Sequence, residues 1–259
     1  MSSALHVVRA GDGPQILLIH GSAADHRSWS IQLASPLRAQ FALVAYDRRS
    51  DAATVEAHAD DAAALLGAGP AVVVGSSFGA VIALELLRRG PAAIAGAVLI
   101  EPPLAASDDA APVAASFLTA FDRRCARDGG PAAGELFLRT VLGDASFDRM
   151  PRVFQTQAMA KFAEIRADTV ALMAYRPRYA ELAAIATPVL LLGGDRSAPS
   201  FRATLEALHR ALGNARLEIV AGAGHMLHAD ASRRFHALVT GFAGPLLSPD
   251  GSDPGQHPG

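Results

Sequence analysis

A serine, two carboxylates and a histidine stand at the ends of apolar runs, where a chain leaves a sheet and side chains can meet above its edge, and a second histidine follows a glycine-bearing loop. The sharpest of these places is Ala71-Val72-Val73-Val74-Gly75-Ser76-Ser77-Phe78-Gly79-Ala80. Here an apolar run breaks into G-x-S-x-G and resumes as the helical pattern Val81 to Arg89. A strand, a tight turn and a helix in direct succession would hold Ser77 in a strained backbone conformation with its Oγ raised above the sheet. Gly75 and Gly79 would let strand and helix approach closely enough for that turn. A serine presented this way is a candidate nucleophile for acyl transfer.

A second run, Gln15 to Ile19, ends in His20-Gly21-Ser22. Glycine directly after a strand lets the next amide point into the space above the sheet, so the N–H of Ser22 is a candidate oxyanion donor. The N–H of Phe78, the residue after the serine, is the second. Asp47 and Glu101 also close apolar runs, and His225 follows the glycine-bearing loop Ala221-Gly222-Ala223-Gly224. His26 reads as a histidine bracing its loop, His228 as the neighbour competing with His225, and Cys125 as an inert thiol on a helix.

The elements that would position these residues follow from periodicity. Alternation over Leu5 to Arg9 predicts a first strand, and the runs Gln15 to Ile19, Phe41 to Tyr46, Ala71 to Gly75 and Gly96 to Ile100 predict four more. Helical spacing over Trp29 to Ala39, Thr54 to Leu66 and Val81 to Arg89 separates them. Strands alternating with helices indicate a mostly parallel α/β sheet covered on both faces, with ligands beyond the carboxyl ends of the strands. His20, Asp47, Ser77 and Glu101 all lie at such ends.

From Leu104 to Ala186 the strand rhythm stops, and four helices are predicted: Ala111 to Arg127, Pro131 to Leu142, Pro151 to Phe162 and Glu164 to Tyr175. Phe117, Phe121, Phe137, Phe154, Met159, Phe162 and Met173 read mostly as the core of this segment. The sheet resumes at Val189 to Gly193, and a helix Pro199 to Leu212, a strand Ala215 to Val220 and a final helix Ala229 to Phe242 complete it. The expected organisation is a core over 1–103 and 187–245, a helical cap over 104–186, and a disordered tail over 246–259 that is rich in Pro, Gly and Asp.

Net charge is −2 over 259 residues, and the arginines occur singly or in pairs such as Arg48-Arg49 and Arg123-Arg124, so there is no basic footprint for nucleic acid. A single cysteine excludes an intramolecular disulfide and a cysteine-rich metal site. Met1 to Ala10 lacks an apolar signal segment and no stretch is long enough to span a bilayer, which leads to the expectation of a cytoplasmic protein acting on a small molecule without cofactor or metal. Nothing in the sequence sets an oligomeric state.

Taken together, His20-Gly21, Gly75-Ser76-Ser77-Phe78-Gly79, the helical insertion and Gly224-His225 resemble the α/β-hydrolase superfamily over almost the whole chain. The chain departs from it in showing seven strands rather than eight and in lacking Gly-x-Gly after Asp47. The resemblance implies Ser77 as nucleophile and His225 as the base that takes its proton and returns it to the leaving group. It leaves two places for the acid. The usual one, after the strand Val189 to Gly193, offers Asp195, although the usual spacing of Gly, two residues and Asp lands on Ser197. The other, at the end of the preceding strand as in zearalenone-type lactonases, offers Glu101, which we favour because a carboxylate at a strand end under a cap needs a partner such as His225 Nδ1.

The activity this implies is hydrolysis of a small to medium, mostly apolar carboxylic ester or lactone through an acyl-enzyme on Ser77. The alternatives are a lyase or cyclase on the same fold, or a silent ligand-binding module.

Overall fold

The computed structural model describes residues 4–90, 92–109 and 113–248. Seven strands form one sheet in the order β1-β3-β2-β4-β5-β6-β7: β1 Val7–Ala10, β2 Gln15–Ile19, β3 Ala42–Tyr46, β4 Ala71–Ser76, β5 Ile94–Ile100, β6 Val189–Gly194 and β7 Ala215–Val220. Only β1 runs antiparallel, against β3, and every other pair is parallel. All strands from β2 onward therefore end at the same edge, which is where the candidate residues gather.

Burial explains why the apolar runs are continuous rather than alternating. Leu17, Ile19, Val73, Leu99 and Leu191 face one layer, and Ile16, Leu18, Val72, Val74, Ile100 and Leu192 face the other; all are within 2% of fully buried. The first layer is closed by α2 (Val55–Ala63), α3 (Phe78–Arg89) and α10 (Pro199–Ala211), the second by the region of α1 (Ser30–Leu33) and by α12 (Ser232–Leu247). Thr54 Oγ1 caps α2 by accepting from Ala57 N–H at 3.1 Å, and Gly90, at φ 64°, ends α3 in the left-handed conformation.

Two of the expected helices change. The helix predicted over Trp29 to Ala39 is broken into a 3-10 turn His26–Trp29, the single turn α1 and a second 3-10 turn Pro36–Ala39, because Pro36 cannot continue the first helix and starts a new turn capped by Ser35. The last helix is preceded by a short turn of its own, α11 (Leu227–Asp230), and runs to Leu247, so 246–247 belong to it rather than to a tail. The expected tail from 249 onward lies outside the described residues.

Between β5 and β6 stand α4 (Val113–Asp128), α5 (Gly130–Leu142), α6 (Asp144–Arg149), α7 (Arg152–Ala160), α8 (Phe162–Ala174) and α9 (Tyr179–Leu182). They carry a separate apolar cluster of Phe121, Ala133, Leu138, Phe147 and Ile165, which also takes in Ala23 from the loop after β2. Phe117, Phe137, Met159 and Phe162 pack against it, whereas Phe154 stands 54% exposed on α7. No helix among the described residues is long and apolar enough to cross a membrane.

Candidate active site

Ser77 joins β4 to α3 at φ 55° and ψ −120°, a region that side chains with a Cβ rarely occupy. Its N–H donates to Ile100 O at 2.8 Å and its carbonyl accepts from Ala80 N–H at 2.9 Å, so the turn is held from both sides. The two flanking glycines are required by backbone contact: a Cβ on Gly75 would lie 2.2 Å from Gly79 O, and one on Gly79 2.2 Å from Ile19 O. The loop after β2 closes on the serine, since a Cβ on Gly21 would lie 3.0 Å from Ser77 Cβ.

His225 lies in the loop after β7, 5% exposed, with Nδ1 2.6 Å from Glu101 Oε2. Glu101 is 1% exposed, and its other oxygen, Oε1, accepts from Gly194 N–H at 2.7 Å. A carboxylate can only accept, so His225 Nδ1 carries the hydrogen and Nε2 is left as the acceptor. That Nε2 is buried without a protein partner, in a ring stacked on Phe201 at 4.4 Å and 22°. Glu101 holds its place at φ 45°, with its N–H donating to Leu192 O at 3.1 Å.

Asp195 goes elsewhere. It is exposed at the end of β6 and accepts from Gly222 N–H at 2.8 Å, fastening the β7 turn rather than His225. The one-residue difference from Gly194 decides this: the amide of Gly194 faces Glu101, and the chain then turns outward. His228, 1% exposed, packs on Trp29 with ring centroids 4.6 Å apart, and burial, reinforced by His225, pushes its pKa down to about 3.

Two cavities meet at Ser77. The larger, about 150 Å³, is lined by Ser22, Ser77, Leu104, Phe117, Phe137, Leu172 and Phe201 among others. The smaller, about 90 Å³, is lined by Ser22, Ser77, Phe137, Met150, His225, Met226 and His228 among others. The walls they share include Ser22, Ser77, Phe137 and Val141. Phe78, the first residue of α3, puts a helix N-terminus beside the serine, which favours negative charge there.

His20 and His26 brace this edge. His20 Nε2 accepts from Arg48 N–H at 3.1 Å, so Nδ1 donates to Gly21 O at 2.8 Å; burial and then the Arg48 charge lower its pKa to about 3. Asp47 Oδ1 accepts from both the N–H and the Nδ1 of His26, at 2.8 and 2.7 Å. With His6 these two form the one group among the described residues whose spacing could admit a cation. Sequence reasoning passed over Phe201, Arg48 and Asp168, which touch this site from α10, from the loop after β3 and from α8.

A family model described as "Alpha/beta hydrolase family" matches residues 16–238. The chain belongs to that family. Among curated relatives, lipase LipV of Mycobacterium tuberculosis is 38% identical over 116 residues, which are 39% of this chain and 42% of that protein, so the match spans about two fifths of the relative. Among solved structures, a thermophilic esterase from Thermogutta terrifontis superposes with a TM-score of 0.79 at 25% identity, covering 94% of each chain. An enol-lactonase from Burkholderia xenovorans superposes at 0.77 over 93% of this chain and 96% of its own, at 21% identity, a likeness of fold. This alpha/beta hydrolase is thus similar in part of its sequence to a lipase and in structure to an esterase, and it shares its fold with the lactonase.

Proposed function

We propose that the protein is a serine hydrolase of small to medium, mostly apolar carboxylic esters or lactones. The observation that carries this is the 2.6 Å contact between His225 Nδ1 and Glu101, which leaves an unpartnered imidazole acceptor in the wall of a cavity shared with Ser77. In this reading Ser77 Oγ attacks the substrate carbonyl and its proton passes to His225 Nε2. The amides of Ser22 and Phe78 take the oxyanion, each worth about 3 kcal/mol in the transition state. The imidazolium, steadied by Glu101, returns the proton to the departing alkoxide. Water then attacks the acyl-enzyme by the same route and releases the acid.

In this reading the two cavities take the two halves of the substrate. The leaving oxygen must come within reach of the histidine, and His225 lines the smaller cavity, so the alcohol part goes there. The acyl part goes to the larger one. An apolar space of about 150 Å³ accepts a benzene-sized group, so an acyl chain of about six carbons fits. The esterase and lactonase neighbours favour the same bond type.

The test is intact mass after exposure to a fluorophosphonate, with Ser77→Ala as control. One adduct, absent in Ser77→Ala, is expected. Absence of an adduct on folded protein refutes the acyl-enzyme reading.

A further inference from the structure

The most unusual feature beside the site is an ion pair with no place in the proposed chemistry. Arg48, in the loop after β3, and Asp168, on cap helix α8, each expose 6% of the side chain and meet in two-point contact: Nη2 to Oδ2 at 2.7 Å and Nη1 to Oδ1 at 3.0 Å. Burying two charges carries a desolvation cost that their mutual attraction does little more than offset, so such a pair is weak as a device for stability alone. What distinguishes this one is what else it holds.

Asp168 Oδ2 also accepts from Ser22 Oγ at 2.6 Å. Arg48 Nη2 donates to Gly21 O at 3.3 Å, and the Arg48 backbone N–H donates to His20 Nε2. The guanidinium lies 4.7 Å from the centre of the Phe78 ring, which His58 meets edge-on at 5.5 Å. His58 Nε2 in turn lies 3.3 Å from Arg48 Nη1. The chain beyond Ser22 is pinned as well: Ala23 sits at φ 59° and is packed into the apolar cluster of the cap. One charge pair therefore touches both residues whose amides would hold the oxyanion, and half of that pair belongs to the cap.

We infer that Arg48 and Asp168 are positioning residues that fix the Ser22 amide, so that cap helix α8 sets the geometry of the oxyanion site. The inference rests on Ser22 as an oxyanion donor. A His20-Gly21-Ser22 loop held only by the sheet edge could pivot about Gly21. With Ser22 Oγ and Gly21 O both tied to the pair, its amide direction is fixed before substrate arrives, which is what oxyanion stabilisation requires.

The test compares full-length variants on a short-chain ester. Asp168→Asn keeps the size but removes the charge that holds the Arg48 fork. Losing an oxyanion donor costs 10²- to 10³-fold in kcat, so a displaced one should cost about 10- to 100-fold, with KM changed by less than about threefold. Ser22→Ala retains the amide and deletes only the hydroxyl tether; a drop in kcat of about 3- to 10-fold is expected, from loss of one charge-assisted hydrogen bond. The double variant should be no worse than Asp168→Asn, because both changes act through the same amide.

A merely structural pair would lower the thermal midpoint and leave kcat per folded molecule within twofold, and that result, or strict additivity of the two changes, overturns the inference. If Asp168→Asn does not fold, Ser22→Ala decides alone: unchanged kcat overturns the inference. Fluorophosphonate labelling of the unaltered protein separates the two levels. Labelling with unaffected variants refutes the positioning role only, and absence of labelling refutes the catalytic reading beneath it.

Discussion

Replacing Glu101 by glutamine removes one charge and almost no volume, and the structure sets the consequence. The two carboxylate oxygens accept from two donors, His225 Nδ1–H at 2.6 Å and Gly194 N–H at 2.7 Å. Glutamine brings one acceptor and one donor. With its oxygen toward Gly194, its NH₂ faces His225 Nδ1, which must give up its hydrogen and pass it to Nε2, leaving nothing to accept the Ser77 proton. With its oxygen toward His225, the NH₂ opposes the Gly194 N–H in a buried place, at about 1–3 kcal/mol for the unmade bond. By 1.4 kcal/mol per decade, that places the productive tautomer at a disadvantage of roughly 5- to 150-fold. The imidazolium formed in the reaction also loses its neighbouring anion, so kcat should fall by about 10² to 10⁴, with KM nearly unchanged.

The assay is steady-state hydrolysis of a short-chain ester with circular dichroism to confirm folding. Asp195→Asn is the control: its carbonyl can still accept from Gly222 N–H, so activity should stay within about threefold. Glu101→Gln retaining more than a tenth of kcat while Asp195→Asn abolishes it would refute the assignment.

Other perturbations probe different levels of the chain of cause. Leu172→Trp, in the wall of the larger cavity, should shorten the preferred acyl group by two carbons or more across an ethyl ester series while leaving acetate turnover within about threefold; an unmoved optimum refutes the cavity assignment. Gly79→Ala drives a Cβ to 2.2 Å from the Ile19 carbonyl, a backbone clash that should cost more than about 3 kcal/mol in urea unfolding, and a loss below 1 kcal/mol would show the turn to be slack. For acid stability, burial lowers His20 and His228 to about 3 and His58 to about 4 from 6.5, with the Arg48 charge adding to the first and last. Because their folded pKa values lie below the unfolded one, these groups contribute stability that is intact above pH 6.5 and lost as pH falls from 6.5 toward about 4 for His58 and about 3 for His20 and His228. Three protons taken up on unfolding give a slope approaching about 4 kcal/mol per pH unit. Urea midpoints should therefore collapse between pH 6 and 4.5, and a flat profile over that range would refute the neutral burial of these histidines.

What the sequence discloses about this molecule divides by the range of the interaction. Ser77 is legible because its strain is local: strand, glycine, serine, glycine and helix are adjacent in the chain, and the contacts that forbid a Cβ at Gly75 lie four residues on, at Gly79. Glu101 is legible at one remove, since a carboxylate that follows an almost wholly buried strand has to be explained by something, and His225 is the group the fold delivers to it. Asp195 is discounted in the sequence by its spacing from Gly194, but its actual contact, with Gly222 N–H, depends on how the chain turns after β6 and is not readable there.

Asp168 left no such trace. It is a charged residue on a cap helix, 120 residues from Arg48 and 146 from Ser22, and one acidic side chain on a helix reads as a solvated face. The helix shows no clean apolar stripe to contradict that, because Ile165, Asp168, Thr169 and Ala171 share its one buried face, half of it polar, while Val170 stands exposed. A buried charge becomes visible only when its partner is known, and partners at that separation are set by the docking of cap on core. Arg48 and Asp168 thus lie between the helices inserted after β5 and the loop that would hold the oxyanion, and their pairing follows from contacts made far along the chain.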